Sequence, residues 1–274
     1  MTDKYCVIGN PIAHSKSPDI HAAFAAATGE KISYGRCEAP INGFEDTVRE
    51  LIAQGYRGAN VTVPFKLDAA GLATTLKPRA RLAGAVNTLH FKGDEIIGDN
   101  TDGPGLVADI ERNARVPLAG KRILMLGAGG AARGVILPFL NAKPKSIVIA
   151  NRTRATADEL VDHFSSQVKR HGQLRACGFD EIEGSFDIVV NATSASLSAA
   201  MPPVPASAFR KGTLALDMMY GKKLSPFLLF AKAHGATVRD GLGMLVEQAA
   251  EAFYVWRDVR PQTQTVLAAM RERL

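Results

Sequence analysis

Residues 122–132 read RILMLGAGGAA, and this stretch decides the fold class of the second half of the chain. The run 122–126 predicts a buried strand, and residues 131–140 predict a helix just after a Gly-rich turn. The turn has the pattern G-x-G-x-x-A: Gly127 allows the tight turn, Gly129 lets the backbone approach a pyrophosphate, and Ala132 permits close packing of helix on strand. This context predicts a dinucleotide site, because the helix N-terminus offers free N–H groups to phosphate. The alternative is a Gly-rich turn that binds nothing. The residues predicted to contact the cofactor here are Gly127, Ala128, Gly129, Gly130 and Ala131.

The next predicted strand, residues 146–150, is followed by a basic segment rather than an acidic residue. An NAD site usually places Asp or Glu at this point, where the carboxylate accepts a hydrogen bond from the ribose 2′-hydroxyl. Here Asn151, Arg152, Thr153 and Arg154 offer two guanidinium groups and a hydroxyl, which suit a 2′-phosphate. We therefore predict NADP rather than NAD as the cofactor. The alternative is that Arg152 and Arg154 are solvated residues at a helix start.

Predicted strands and helices alternate along the whole chain, which is typical of βαβ units and a mostly parallel sheet. Predicted strands cover residues 4–8, 33–38, 58–63, 86–91, 95–97, 122–126, 146–150, 186–190, 213–217 and 237–239. Predicted helices cover residues 18–28, 44–53, 66–73, 131–140, 153–169 and 242–256, with a terminal helix after Pro261. Pro138 is expected to end or kink the helix over 131–140.

The length of 274 residues predicts two domains at about 150 residues per domain. We expect two α/β domains. Residues 103–240 are predicted to form a Rossmann-like, doubly wound NADP-binding domain, and residues 1–102 an N-terminal domain with a mostly parallel substrate-binding sheet. The late helices, within residues 241–274, are expected to pack back on the first domain and complete it. The alternative, which periodicity does not decide, is that they extend the second domain.

The composition argues against several classes of protein. The net charge is +6 and the pI near 9.3, but no block of five or six like charges occurs, so we predict no nucleic-acid partner. Three widely spaced Cys without C-x-x-C indicate no zinc site or disulfide framework, so we expect no metal and a cytoplasmic location. The first residues do not read as a signal peptide, and the apolar stretch 123–140 contains Arg133 and Pro138, so no membrane partner is expected. We expect a monomer or a homodimer.

Three polar clusters in the first domain lie at or just after the end of a predicted strand: residues 14–18, 60–66 and 99–103. Ligands of α/β sheets bind outside the carboxyl ends of strands. Together with Asn87, the clusters supply hydroxyls, amides, an amine and a carboxylate, which suit a small polyhydroxylated substrate that bears a carboxylate. Each has a simpler interpretation: Ser17 and Asp102 as helix caps, and Lys66 as a solvated lysine of a first helical turn.

Taken in order, the motifs of this chain resemble those of the shikimate dehydrogenase family, and the resemblance covers nearly the whole chain. The motifs are Gly9-Asn-Pro11, His14-Ser-Lys-Ser-Pro18, Asn60-Val-Thr-Val-Pro-Phe-Lys66, Gly84-Ala-Val-Asn-Thr88, Asn100-Thr-Asp-Gly103, Gly127-Ala-Gly-Gly-Ala-Ala-Arg133, Asn151-Arg-Thr153, Asp217-Met-Met-Tyr220 and Asp240-Gly-Leu-Gly-Met-Leu-Val-Glu-Gln248. The resemblance implies an NADP-dependent enzyme that reduces 3-dehydroshikimate to shikimate, a step of aromatic amino-acid (chorismate) biosynthesis.

The resemblance also implies roles for single residues. Lys66 and Asp102 are expected to form the catalytic pair, and the sequence leaves open which of them moves the proton. The residues implied for the substrate are Ser15 and Ser17 for its carboxylate, Asn60, Thr62, Asn87, Asp102 and Gln248 for its ring hydroxyls, and Tyr220 for the pocket wall. The further residues implied for the cofactor are Thr193, Ser194, Met218 and Gly243.

The chain departs from the family pattern at two places. Ser196 stands where the family usually has Gly, so the loop path near the nicotinamide is expected to differ if that turn needs a positive φ. Pro78 stands where the family often has an acidic residue before Arg79, and no function is carried over to it. Two other functions stay open from the sequence: a quinate/shikimate dehydrogenase relative, and a catalytically idle NADP-binding sensor on the same fold.

Overall fold

Two six-stranded sheets carry the chain in the computed structural model, which describes residues 2–168, 173–193 and 200–274. The chain divides into two units, each built on one of these sheets. Unit 1 comprises Met1–Gly105 and Leu245–Arg273, and unit 2 comprises Leu106–Met244 together with Leu274. The predicted class, α/β with a Rossmann-like half, is confirmed.

The sheet of unit 1 has the strand order β2-β1-β3-β5-β6-β4. Its strands are β1 (Asp3–Gly9), β2 (Ile32–Glu38), β3 (Tyr56–Val61), β4 (Thr75–Leu76), β5 (Thr88–Lys92) and β6 (Glu95–Asp99). Its helices are α1 (Ser17–Thr28), α2 (Phe44–Ala53), α3 (Lys66–Leu72), α4 (Pro78–Ala83), the first turn of α5 (Asp102–Ala108), α9 (Leu242–Arg257) from Leu245 onward, and α10 (Gln264–Glu272). The sheet is mostly parallel, since only β5 runs antiparallel to its two neighbours.

Alternate residues of β1 bury opposite faces of this sheet. Cys6 and Ile8 join a core cluster with side chains of α2 and α3. Tyr5 faces the other way and stacks on Trp256 of α9 at 4.6 Å between ring centroids. Trp256 also donates a hydrogen bond from Nε1 to the carbonyl oxygen of Leu89 at 3.0 Å, which ties the late helix to the middle of the sheet.

The sheet of unit 2 is parallel throughout, with the order β12-β11-β10-β7-β8-β9. Its strands are β7 (Arg122–Leu126), β8 (Ser146–Asn151), β9 (Leu174–Gly178), β10 (Ile188–Asn191), β11 (Leu214–Asp217) and β12 (Thr237–Arg239). Its long helices are α6 (Gly130–Asn141), α7 (Arg154–His163) and α8 (Pro226–Ala233). The strand order reverses between β7 and β10, and a doubly wound fold binds its ligand at such a switch point.

Several elements differ from the sequence-based expectation. The elements that were not predicted include β4, α4, β9 and α8, each eight residues or shorter and so too short for a clear period. α6 continues past Pro138 to Asn141, so this proline does not end the helix, although it removes the hydrogen bond that its backbone nitrogen would donate. α7 ends at His163 rather than continuing to residue 169, and a short 3₁₀ turn, Ser165–Gln167, follows it. Residue 169 lies outside the described residues.

No helix in the described part of the chain is long and apolar enough to cross a membrane. The described residues also contain no group of three or more His, Cys, Asp or Glu side chains that could hold a metal ion.

Candidate functional site

An ion pair between Lys66 and Asp102 lies at the centre of the polar groups of unit 1. Each residue opens a helix, α3 for Lys66 and α5 for Asp102, and the Lys66 Nζ lies 2.6 Å from Asp102 Oδ2. The side chain of Lys66 is 32% exposed and that of Asp102 is 16% exposed. Lys66 is therefore a paired, partly buried amine and not the solvated lysine of the simpler interpretation.

Asn87 joins this pair to a second helix. Its Nδ2 donates to Asp102 Oδ1 at 2.8 Å and lies 3.3 Å from Gln248 Oε1. Its Oδ1 accepts hydrogen bonds from the backbone N–H of Thr101 at 2.8 Å and from the Thr88 hydroxyl at 2.9 Å. These bonds fix the amide orientation of Asn87. Gln248, which lies in α9 and far from Asn87 in the sequence, belongs to the same hydrogen-bond network.

Asn60, at the carboxyl end of β3, continues the network on the other side of Asn87. Its Nδ2 lies 3.2 Å from the Asn87 carbonyl oxygen and 3.1 Å from the Thr88 hydroxyl. Its Oδ1 accepts a hydrogen bond from the Tyr34 hydroxyl at 2.7 Å. Burial raises the pKa of Tyr34 well above its usual value, and the neighbouring Ser17 hydroxyl offsets only part of this. Tyr34 thus keeps its proton at neutral pH and serves as a hydrogen-bond donor to Asn60. Sequence reasoning missed this role because an aromatic residue in a strand resembles a core residue.

The remaining predicted substrate residues of unit 1 lie between β1 and α1, at the start of α1, and just after β3. Ser17 is buried and is the first residue of α1, with Lys16 at the capping position, so the expectation that Ser17 caps this helix is wrong. Ser15 is partly buried, and its Oγ lies 3.3 Å from the backbone N–H of Ser17. Thr62 is also partly buried and follows β3 directly.

Arg79 forms a charged network that sequence reasoning did not find. Its guanidinium donates twice to the Asp99 carboxylate, at 2.6 and 2.8 Å, and once to Glu251 at 2.8 Å. Asp99 also accepts a hydrogen bond of 2.7 Å from the backbone N–H of Asn100, and Asn100 lies two residues before Asp102. Glu251 lies in α9, less than one turn after Gln248. Arg79 therefore holds together the two segments that bring Asp102 and Gln248 to Asn87.

A cleft of about 630 Å³ opens at the switch point of unit 2. Gly127 lies at the end of β7 with φ +101°, and a Cβ there would come 3.0 Å from Thr193 Cγ2, so glycine is required on both counts. Gly129 caps α6 in an extended conformation without a side-chain cap, and the first N–H groups of an α-helix have no partner within the helix. The residues that line the cleft are Gly127, Ala128, Gly129, Gly130, Ala131, Asn151, Arg152, Thr153, Phe179, Ala192, Thr193, Ala200, Met201, Pro202 and Pro203.

The two predicted phosphate-binding arginines lie in different places. Arg152 lines the cleft beside Thr153 and makes no ion pair with a described residue. Arg154 opens α7, does not line the cleft, and instead pairs with Glu181 at 2.5 Å and with Asp158 at 3.5 Å. The cleft therefore presents one uncompensated guanidinium at the end of β8.

The other expected cofactor residues are spread over the end of the same sheet. Thr193 lines the cleft and donates from its hydroxyl to Asn191 Oδ1 at 2.7 Å. Met218 follows β11, and Tyr220, partly buried two residues later, has a pKa raised by burial. Gly243 packs against the buried Asp109 carboxylate, where a Cβ would come 1.8 Å from Oδ1. Ser194 and Ser196 lie outside the described residues. Sequence reasoning missed Phe179, which lines the cleft after a strand that was not predicted.

Comparisons with known proteins give a consistent result over the whole length. Residues 7–89 match the family model for the shikimate dehydrogenase substrate binding domain, residues 110–201 that for shikimate / quinate 5-dehydrogenase, and residues 241–271 that for the shikimate 5′-dehydrogenase C-terminal domain. A shikimate dehydrogenase (NADP(+)) of Herminiimonas arsenicoxydans is 57% identical, over 100% of this chain and 99% of the relative.

Solved structures are similar to this chain over nearly its whole length. The crystal structure of an Ael1 enzyme from Pseudomonas putida is 49% identical with a TM-score of 0.93, and the alignment covers 98% of each chain. The structure of shikimate 5-dehydrogenase from Thermus thermophilus in complex with NADP(H) and shikimate is 32% identical with a TM-score of 0.88, over 100% of both chains.

Proposed function

The chain belongs to the shikimate dehydrogenase family, and from this premise we propose how its own residues carry out the NADP-dependent, reversible reduction of 3-dehydroshikimate to shikimate. The activity and the cofactor follow from full-length relatives at 54–58% identity. The observation that supports the residue assignment is the Lys66–Asp102 pair, tied through Asn87 to Gln248 in one polar network.

The residues of unit 2 fit the cofactor. The cleft volume lies in the range of small-molecule sites, about 300–1,000 Å³, and Gly130 and Ala131 of the first turn of α6 line it, where unpaired helix N–H groups would suit a pyrophosphate. Arg152 and Thr153 would hold the 2′-phosphate. Arg154 would contribute less to phosphate binding, because its guanidinium already pairs with Glu181 and Asp158. When bound, NADPH supplies the hydride that the ketone carbon of the substrate accepts.

Lys66 is the proton donor in the direction of reduction. As the ketone is reduced, negative charge develops on its oxygen, and an ammonium group aimed at that oxygen stabilises the charge and delivers the proton. In the reverse direction the neutral amine accepts the proton of the substrate hydroxyl. Asp102, 2.6 Å from the Lys66 Nζ, keeps the amine oriented and holds a ring hydroxyl with its other acceptor positions.

The hydrogen bonds already made within the protein decide which side chains can donate to the substrate and which can only accept. Both N–H groups of Asn60 are taken by the Asn87 carbonyl and by Thr88, so Asn60 offers a substrate hydroxyl only its Oδ1 acceptor. Gln248 donates from Nε2 to the Leu245 carbonyl at 2.9 Å and keeps a second N–H for the substrate. Ser15 and Ser17 would hold the carboxylate, Thr62 a further hydroxyl, and Tyr220 the pocket wall, as the family resemblance implies.

A four-way steady-state assay tests the function: shikimate and quinate, each with NADP+ and NAD+. We expect shikimate with NADP+ to give the highest kcat/KM. A preference for quinate with NAD+ would contradict the substrate and cofactor assignment. Tight NADPH binding without turnover of any cyclohexene acid would instead support an idle sensor.

Lys66→Ala tests the catalytic role. We expect kcat to fall about 100-fold or more, since positioned acid–base groups contribute about 10²–10⁴ in rate, while the circular dichroism spectrum stays unchanged. Lys92→Ala, at an exposed lysine of β5, is the matched control and should keep full activity. An unchanged kcat for Lys66→Ala would remove this lysine from the mechanism.

We further propose a cytoplasmic location and a monomer or homodimer. The three thiols of Cys6, Cys37 and Cys177 are free, which suits a reducing compartment. Light scattering of the purified protein would measure the oligomeric state.

A further inference from the structure

Arg36 is an exposed arginine of β2 that reaches the loop expected to bind the substrate carboxylate. We infer that Arg36 is a specificity-determining residue: its guanidinium holds the Ser15 backbone in place and supplies the positive charge that selects a carboxylate-bearing substrate. This inference rests on the proposed function, because it concerns the carboxylate site formed by Ser15 and Ser17.

The geometry places Arg36 directly behind that loop. Both Nε and Nη2 donate to the carbonyl oxygen of Ser15, at 3.1 and 2.6 Å. The loop has a second anchor to the same edge of the sheet, a hydrogen bond of 2.8 Å from Asn10 Nδ2 to the Ala39 carbonyl. A forked donor on one carbonyl restrains the peptide plane after Ser15, and with it the backbone that carries the Ser15 side chain.

The charges around the loop show what Arg36 adds there. Ser15 and Ser17 are neutral and Lys16 lies between them, so Arg36 is a second cation of this loop for a bound carboxylate. Asp19, in the first turn of α1, adds a negative charge of the protein near the same place. The salt bridges of the described residues include none to Arg36, so its charge is not already neutralised by a protein carboxylate.

Three properties of Arg36 therefore coincide: contact with the carbonyl of a proposed carboxylate-binding residue, a permanent charge, and no acidic partner within the described residues. An arginine that served only to hold the loop would act alike on charged and neutral ligands. An arginine that also selects by charge distinguishes a carboxylate from its neutral ester.

The test compares shikimate with its methyl ester, which has the same ring and hydroxyls but no charge. In wild-type enzyme with saturating NADP+, KM for each ligand is measured at low and high ionic strength. The variants are Arg36→Gln, which removes the charge, and Arg36→Lys, which keeps it without the fork. Arg49→Gln is the charge-matched control, at an exposed arginine of α2 that pairs with Glu45.

We expect Arg36→Gln to raise KM for shikimate about tenfold, within the range that Coulomb's law gives for surface charges several ångströms apart, with kcat changed less than about twofold. KM for the ester should rise clearly less than KM for shikimate, because loss of the contact to Ser15 affects both ligands and loss of the charge affects shikimate alone. Arg36→Lys should raise KM for shikimate less than Arg36→Gln does, and Arg49→Gln should match wild type. In wild type, KM for shikimate should rise with salt and KM for the ester should not.

Equal effects of Arg36→Gln on both ligands would overturn the inference, and so would an unchanged KM for shikimate. The salt dependence in wild type needs no variant, so a KM for shikimate that does not respond to salt overturns the inference even if the variants fold poorly. A wild-type enzyme that does not oxidise shikimate with NADP+ contradicts the proposed function itself, which separates the two failures.

Discussion

His21→Phe is expected to make unit 1 more resistant to acid than the wild-type protein. The imidazole of His21 is fully buried in α1 and stacks on the Tyr34 ring at 4.1 Å between centroids. The Trp256 ring lies 5.5 Å away, and neither nitrogen of His21 makes a hydrogen bond of ordinary length and angle to a described residue. Burial in this aromatic cluster lowers the pKa of His21 to about 3, against a smaller opposing effect of the nearby Asn60 side chain.

The size of the effect follows from the difference between the folded and unfolded pKa. In the unfolded chain His21 titrates near its usual value of about 6.5, so between about pH 6.5 and pH 3 the unfolded state binds a proton that the native state excludes. The free energy of unfolding therefore falls as the pH falls through this window, by about 1.4 kcal/mol per pH unit. At pH 5 the loss from His21 is about 2 kcal/mol relative to pH 8.

Urea titrations at pH 8, 6 and 5 measure this loss. Trp256 is the only tryptophan of the chain and lies in unit 1, so its fluorescence reports the unfolding of that unit. The difference between wild type and His21→Phe isolates the one imidazole from all other titrating groups. His234→Gln, at an exposed histidine of unit 2, is the control and should follow wild type at each pH.

Parallel pH dependence in wild type and His21→Phe would refute the reasoning, because the variant has no imidazole at position 21 to titrate. A steeper loss of stability in the variant would refute it as well. The expected result is a gap between the two proteins that widens by about 2 kcal/mol from pH 8 to pH 5.

Three further changes test other parts of the molecule. Arg152→Ala should raise KM for NADP+ about tenfold or more and change KM for NAD+ less than about threefold, because contacts to the 2′-phosphate are charge-assisted; equal changes would reject the assignment. Arg79→Met should lower the free energy of unfolding by about 3–5 kcal/mol, since it leaves the buried Asp99 without its partner; a loss below about 1 kcal/mol in urea titrations would contradict the stabilising role of Arg79. Gly243→Ala should lower the melting temperature by several degrees, because the new Cβ would lie 1.8 Å from Asp109 Oδ1; an unchanged melting temperature would show that this carboxylate moves freely.

The cofactor half was the more predictable one. The Gly-rich turn after residue 126 could be predicted because its conformation requires glycine. Gly127 has a positive φ and little room for a Cβ, so the residue type in the sequence already indicates the backbone geometry. The identity of Arg152 at the end of the next strand could likewise be read locally. The engagement of Arg154 by Glu181 could not, because that contact joins residues 27 positions apart.

The sequence by itself determined the fold class and the chemical types of the candidate residues, because periodicity, turn glycines and the ends of strands are local properties of the chain. Only the tertiary structure decided how those residues act together. Lys66 and Asp102 lie 36 positions apart and Asn87 and Gln248 lie 161 apart, yet each pair meets within hydrogen-bond distance. Their meeting depends on the strand order of the sheet and on where α9 packs, and both result from burial of apolar surface over the whole unit. Tyr34, Arg36 and Arg79 gained roles for the same reason, since long-range packing rather than local sequence selects their partners.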